Sequence, residues 1–173
     1  PAAFQARAQG SANEIVIGQT MPYSGPASSY GSIGRAETAY FTKVNAEGGV
    51  NGRKIRLISL DDGYSPPKTV EQTRRLVEQE KVLAIFGTFG TPTNAVIRKY
   101  LNNAKVPQLF PTGGADQWDD PKAYPWTFGW QPNYNTETKI YAEHILRERP
   151  NGKIGILYQN DDVGKDNLRG LRE

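Results

Sequence analysis

The 173-residue chain has no cysteine and one histidine, His144. Without thiols there can be no disulfide, thiolate nucleophile, zinc finger or iron–sulfur cluster, and one imidazole excludes a multi-histidine metal site. A cysteine-free chain fits cytosol or periplasm equally. No apolar run approaches the ~20 residues of a membrane-spanning helix. Neither sign of charge dominates: 21 Lys and Arg face 18 Asp and Glu, a net charge of +3. The basic pairs Arg74-Arg75 and Arg98-Lys99 stand on otherwise mixed segments, as on solvated helix faces rather than in a nucleic-acid groove. Phosphate-loop and nucleophile-elbow motifs are missing. Gly31-x-x-Gly34 and Gly87-x-x-Gly90 are too short for a dinucleotide fingerprint.

What is present suits a packed core. Hydrophobic residues make up 37% of the chain, and its length is that of roughly one domain. Pro1–Ala12 is small and polar, without the apolar centre of a signal peptide, and is expected to be a disordered tail outside the fold. Glu14–Thr20, Lys54–Leu60, Val82–Phe86, Pro107–Pro111, Tyr124–Gly129 and Lys153–Tyr158 have the alternating or wholly apolar pattern of strands. Between them, Ile33, Ala36, Tyr40, Phe41 and Val44 recur on one face of a helix. So do Val70, Thr73, Leu76 and Val77, then Val96, Ile97, Tyr100 and Leu101, then Ile140, Tyr141, His144 and Ile145. Asp166–Arg172 begins a further helix. The alternation predicts an α/β fold, an open parallel sheet with helices on both faces.

Ligands of such sheets sit beyond the carboxyl ends of the strands, where helix N-termini also point. That rule selects the loops Met21–Gly31, Gly87–Thr93 and Thr112–Ala115, each rich in glycine and hydroxyls. In the middle one, Thr91 reads as an N-cap and Pro92 as the first helical residue, leaving free amides and a hydroxyl for a carboxylate. Taken alone, that loop is better explained by a helix cap and nothing more. Thr112-Gly113-Gly114 offers bare backbone beside it, or merely a turn. Tyr30 could cover an apolar ligand or stand at the surface. The paired carboxylates Asp61-Asp62 are better explained by turn formation before Pro66-Pro67 than by acid–base or metal chemistry. His144 falls on a helix stripe, away from the strand ends.

The ordered segments IGQTMPYSGPASSYG (17–31), NAEGGVNGRKI (45–55), DDGYSPPK (61–68), FGTFGTPT (86–93), VPQLFP (106–111) and YQNDDVGKD (158–166) resemble the leucine/isoleucine/valine-binding type of periplasmic solute-binding protein serving ABC transporters. The resemblance implies a two-lobed clamshell with its ligand in the cleft, located in the periplasm and presented to a membrane permease, with no catalysis and no cofactor. It makes residues 13–130 a ligand-binding lobe. Residues 131–173 become a hinge crossing and the first βαβ part of an incomplete second lobe, completed by a missing half or a second copy. Matched residue by residue, the family's ligand-holding positions fall on Thr91 with its neighbours Phe89 and Gly90, on Thr112, Gly113 and Gly114, and on Tyr30. These are the loops chosen above from strand topology.

The chain departs from the family's pattern at three places. Thr91-Pro92-Thr93 stands where serines are common, Gly114 where a hydroxyl is usual, and Val163 where a ring often precedes the glycine. The expected ligand is a branched-chain or other hydrophobic amino acid, with an aromatic carboxylate as the alternative. Rival functions are a ligand-sensing regulator or receptor domain of the same fold, or an α/β enzyme using Asp61-Asp62.

Overall fold

A computed structural model describes residues 13–173; the tail expected over Pro1–Ala12 lies outside the described residues. The sheet is built from β1 (Glu14–Met21), β2 (Lys54–Asp61), β3 (Ala84–Phe86), β4 (Gln108–Leu109) and β5 (Thr127–Phe128). Its order is β2-β1-β3-β4-β5, and every pairing is parallel. The helices are α1 (Gly31–Ala46), α2 (Pro66–Arg74), α3 (Thr91–Ala104), α4 (Tyr134–Glu148) and α5 (Asp162–Arg172), α2 running on into a π-helical turn over Arg75–Gln79.

The connection through α1 steps to one side of β1 and the connection through α2 steps back across it. Right-handed crossovers therefore put α1 on one face of the sheet, and α2 and α3 on the other. The side chains agree. Val16 and Ile85 meet Leu76, Ile97 and Leu101 in a buried cluster under α2 and α3. Gly18 leaves room for Leu76, whose methyls would lie 3.1 Å from a Cβ at that position. The α1 face is more polar. Buried Gln19 donates to Glu37 and accepts from Ser59 (2.8 Å), and the Tyr23 hydroxyl pairs with Ser59 at 2.6 Å. Burial raises the Glu37 carboxyl above its ordinary range, against the lowering effect of the Gln19 amide.

One expected element is absent. Lys153–Tyr158 pairs with no strand among the described residues, and Ile154, Ile156, Leu157 and Tyr158 are exposed. The pattern of a buried strand needs neighbours on both sides to become one. The sheet already ends at β2 and β5, and this segment reaches neither edge. The apolar stripe expected on α4 is likewise open to solvent at Ile140 and Tyr141.

Candidate functional site

The loop after β3 turns sharply through Gly87 (φ 63°) and Gly90 (φ 93°) to deliver α3. Gly90, not Thr91, is the N-cap, and Thr91 is the first helical residue with Pro92 following. A β-carbon at Gly90 would suffer twice: its backbone is in a region natural to glycine, and the Tyr64 ring would lie 2.4 Å away. No side chain among the described residues caps the α3 amides; Thr93 and Asn94 instead tie down the carbonyls of the loop. The Thr93 hydroxyl donates to Gly90 (2.8 Å) and Phe89, and the Asn94 amide donates to Thr88 (2.6 Å) and Gly90 (2.8 Å).

Thr91 is thereby left over. Its Oγ1 is buried and has no hydrogen-bond partner among the described residues. An orphaned buried hydroxyl costs about 1–3 kcal/mol, and this one lies at a helix N-terminus. There the first amides have no acceptor within the helix, and the dipole favours negative charge.

The loop after β4 closes in beside it. The Gly90 amide donates to Thr112 O (3.0 Å), the Thr112 amide to Thr88 O (2.9 Å), and the Thr112 hydroxyl to Gly87 O (3.1 Å). Gly113 is bare where a Cβ would lie 2.9 Å from Thr91 Oγ1 and 3.2 Å from the Tyr134 hydroxyl. Thr91, Gly113 and Tyr134 thus converge on one small polar spot.

Around that spot lies a cavity of about 1040 Å³. Tyr30 stacks on Phe89 with ring centres 4.3 Å apart, and Tyr64 tilts against the same phenyl at 5.7 Å. Ile33 and Val163 add apolar lining, and Glu137 and Gln159 reach in from the far side. Gln159 Nε2 donates to the Tyr64 hydroxyl (3.3 Å). Burial is the main reason that the Tyr64 phenol is raised above its usual range; the Gln159 amide opposes it, and Asp161 adds to it.

Tyr30, Phe89, Gly90, Thr91, Thr112 and Gly113 line the cavity. Gly114 does not. It is buried against the following crossing, where a Cβ would meet Pro132 O at 2.3 Å, and its carbonyl accepts the Tyr134 amide (2.7 Å). Sequence reasoning missed Tyr64 and Tyr134. Tyr64 points inward because its backbone is left-handed (φ 61°), a conformation no pattern announces for tyrosine. Tyr134 follows Asn133, which caps α4 by accepting the Thr136 amide at 2.8 Å. The N-cap signature at Asn133 was the available signal.

Asp61 and Asp62 are consumed by structure. Asp61 accepts from the Tyr23, Ser24 and Gly63 amides (2.9, 3.0 and 3.0 Å), from the Ser24 hydroxyl (2.6 Å) and from Lys68 (3.1 Å). Burial pushes the Asp61 carboxyl up, but the Ser24, Lys68 and Gly63 donors together outweigh it and hold it well below the usual carboxylate range. Asp62 is fully buried and accepts from the Tyr64 amide (3.0 Å) and the Thr69 hydroxyl (2.9 Å). His144 is exposed on α4.

A five-stranded parallel sheet whose strand-end loops wall an aromatic-sided cleft is the architecture of a type I periplasmic-binding lobe. The family model for periplasmic binding proteins matches residues 14–173, and the chain belongs to that family. It is 28% identical over 171 residues to the Leu/Ile/Val-binding protein homolog 7 of Brucella abortus, covering 94% of this chain and 43% of that one. It superposes with a TM-score of 0.83, at 28% identity, on a possible leucine/isoleucine/valine-binding protein from Rhodopirellula baltica, covering 93% of this chain and 43% of that one. An ABC-transporter solute-binding protein from Rhodopseudomonas palustris, solved with 3,4-dihydroxybenzoic acid, shares the fold with a TM-score of 0.80. The identity there is 23%, with 92% of this chain and 43% of that one covered. The chain spans less than half the length of these relatives. No helix among the described residues is long and apolar enough to cross a membrane.

Proposed function

We propose that the chain is the carboxylate-recognising part of an extracytoplasmic solute-binding receptor, a non-enzymatic protein that captures a small acid with a hydrophobic body and hands it to an ABC permease. The observation that carries this reading is the orphaned, buried Thr91 hydroxyl at the start of α3. A carboxylate there would accept from that hydroxyl and from the helix amides. The relatives' names point to amino acids and related acids, which carry this group. An aromatic acid is favoured over an aliphatic amino acid by the Tyr30–Phe89–Tyr64 wall, where a flat ring would extend the existing stack.

The test is calorimetric titration of the 173-residue chain with L-isoleucine, phenylacetate, 3,4-dihydroxybenzoate and the amides of all three acids. The expected result is saturable binding of at least one acid, with its amide at least tenfold weaker. Equal binding of acid and amide, or no binding by any acid, would overturn the proposal.

A further inference from the structure

Beside the cavity, a cluster of charge ties distant parts of the described chain together where the short turn Asp116–Trp118 meets α5. The Asp116 amide donates to Asp166 Oδ2 (3.0 Å). Arg169 bridges the Asp116 carboxylate and Asp166 Oδ1, the latter at 2.9 Å. Gln117 Nε2 donates to Asp162 Oδ2 (2.8 Å). The three bonds between the turn and α5 join residues 45 to 53 positions apart. They stand shortly after Gly113 on one side and flank Val163 on the other, two residues that line the cavity.

The electrostatics are asymmetric. Asp166 is almost fully buried, and Asp116 Oδ1 is buried without a hydrogen-bond partner among the described residues. One guanidinium thus serves two carboxylates that would otherwise repel each other inside the contact.

We infer that Asp116, Asp166 and Arg169, with Gln117 and Asp162, form a clasp that holds α5 over the ligand cleft. The clasp sets how much of the protein is in the closed, binding-competent arrangement. None of these residues lines the cavity, so they are positioning residues. They act on affinity through the closed fraction, since apparent affinity scales with the population able to bind. The effect on ligands rests on the carboxylate-receptor reading above; the clasp itself does not.

Because the chain is cysteine-free, Ser29→Cys and Lys165→Cys introduce two unique spin-label sites, on the loop after β1 and on α5. The ligand-free distance distribution is then measured in this background and in Asp116→Asn, Arg169→Met and the double variant. Gln117→Ala is the milder change if Arg169→Met does not fold.

The parent should show one short distance. Each single variant should add a longer one, lowering the closed-to-open ratio about fivefold, the upper end for a part-exposed ion pair. The double variant should be no worse than either single one, and 0.5 M salt should open the parent alone. Affinity for 3,4-dihydroxybenzoate and L-isoleucine should fall by the same factor as the closed fraction. Unchanged distances in all folded variants, or additive effects in the double variant, would overturn the clasp. A changed distance with neither probe binding would sink the carboxylate reading and leave the clasp standing.

Discussion

Replacing Thr91 with valine separates a binding role from a folding role with unusual sharpness. Valine has nearly the shape of threonine and differs by a methyl in place of the hydroxyl. That hydroxyl is buried and has no partner among the described residues, and the cap of α3 is Gly90, its carbonyl held by Thr93 and Asn94. Removing the hydroxyl therefore deletes no hydrogen bond and relieves an unsatisfied group. Thr91→Val should leave the folded state as stable as wild type or stabilise it by up to about 1 kcal/mol. For a bound carboxylate the sign reverses. One hydrogen bond to a charged group is lost, worth about 1.5–3 kcal/mol, or roughly 10- to 150-fold in affinity. Thr91→Ser keeps the hydroxyl and should bind within about threefold of wild type. Urea unfolding followed by circular dichroism reads the first quantity, and calorimetric titration at a temperature where all variants are folded reads the second. If Thr91→Val loses more than 1 kcal/mol of stability, the hydroxyl is a structural donor. If its affinity stays within threefold, the carboxylate binds elsewhere.

Three further outcomes follow from the same geometry. Gly90→Ala should destabilise by about 2–4 kcal/mol, because φ of 93° is foreign to alanine and the new methyl would run into the Tyr64 ring; a melting temperature unchanged within error would contradict the cap. Phe89→Ala should weaken an aromatic acid by about 1–3 kcal/mol through lost stacking and burial, and L-isoleucine by distinctly less, a difference read by parallel titrations. Asp61 has a folded-state carboxyl below its unfolded value of about 4. Its stabilisation is therefore fully present above that pH and drains away as pH falls through it toward the lower folded value. Asp61→Asn should cost roughly 1–2 kcal/mol at pH 7, screened because the side chain is a third exposed, and the gap from wild type should narrow below pH 4; a pH-independent gap would refute that account.

Much of this arrangement was readable in the residues because it depends on local pattern. Alternation in Glu14–Thr20 and Lys54–Leu60, together with the helical stripes between strands, is enough to order a parallel sheet and to single out its carboxyl-end loops. What could not be read depends on distant partners or on backbone torsions. Lys153–Tyr158 has the composition of an interior strand, but a strand exists only where neighbours offer a ladder. Thr91 looks like a cap because hydroxyls usually are, yet Gly90 takes the place by adopting a conformation that closes against Tyr64. Tyr64 itself enters the cleft from a left-handed turn. Gly114 sits in the right loop with its back to the cavity, pinned by Pro132 and Tyr134.

Residues 129–133, between β5 and α4, are a single covalent thread. A body hung from one thread behaves as on a universal joint: it can swing, tilt and spin. A second attachment off the line of the thread removes the spin and leaves a door on a pin. The contacts of α5 with Asp116 and Gln117, with the Gln159–Tyr64 bond beside them, tie the chain after the thread to the chain before it, and on the proposed reading they supply that second attachment. Its consequence is mechanical rather than chemical. If residues 134–173 swing as the proposed clasp requires, thermal motion would be channelled into one opening coordinate, and a ligand held at Thr91 as proposed would meet an entrance that varies in width but not in outline.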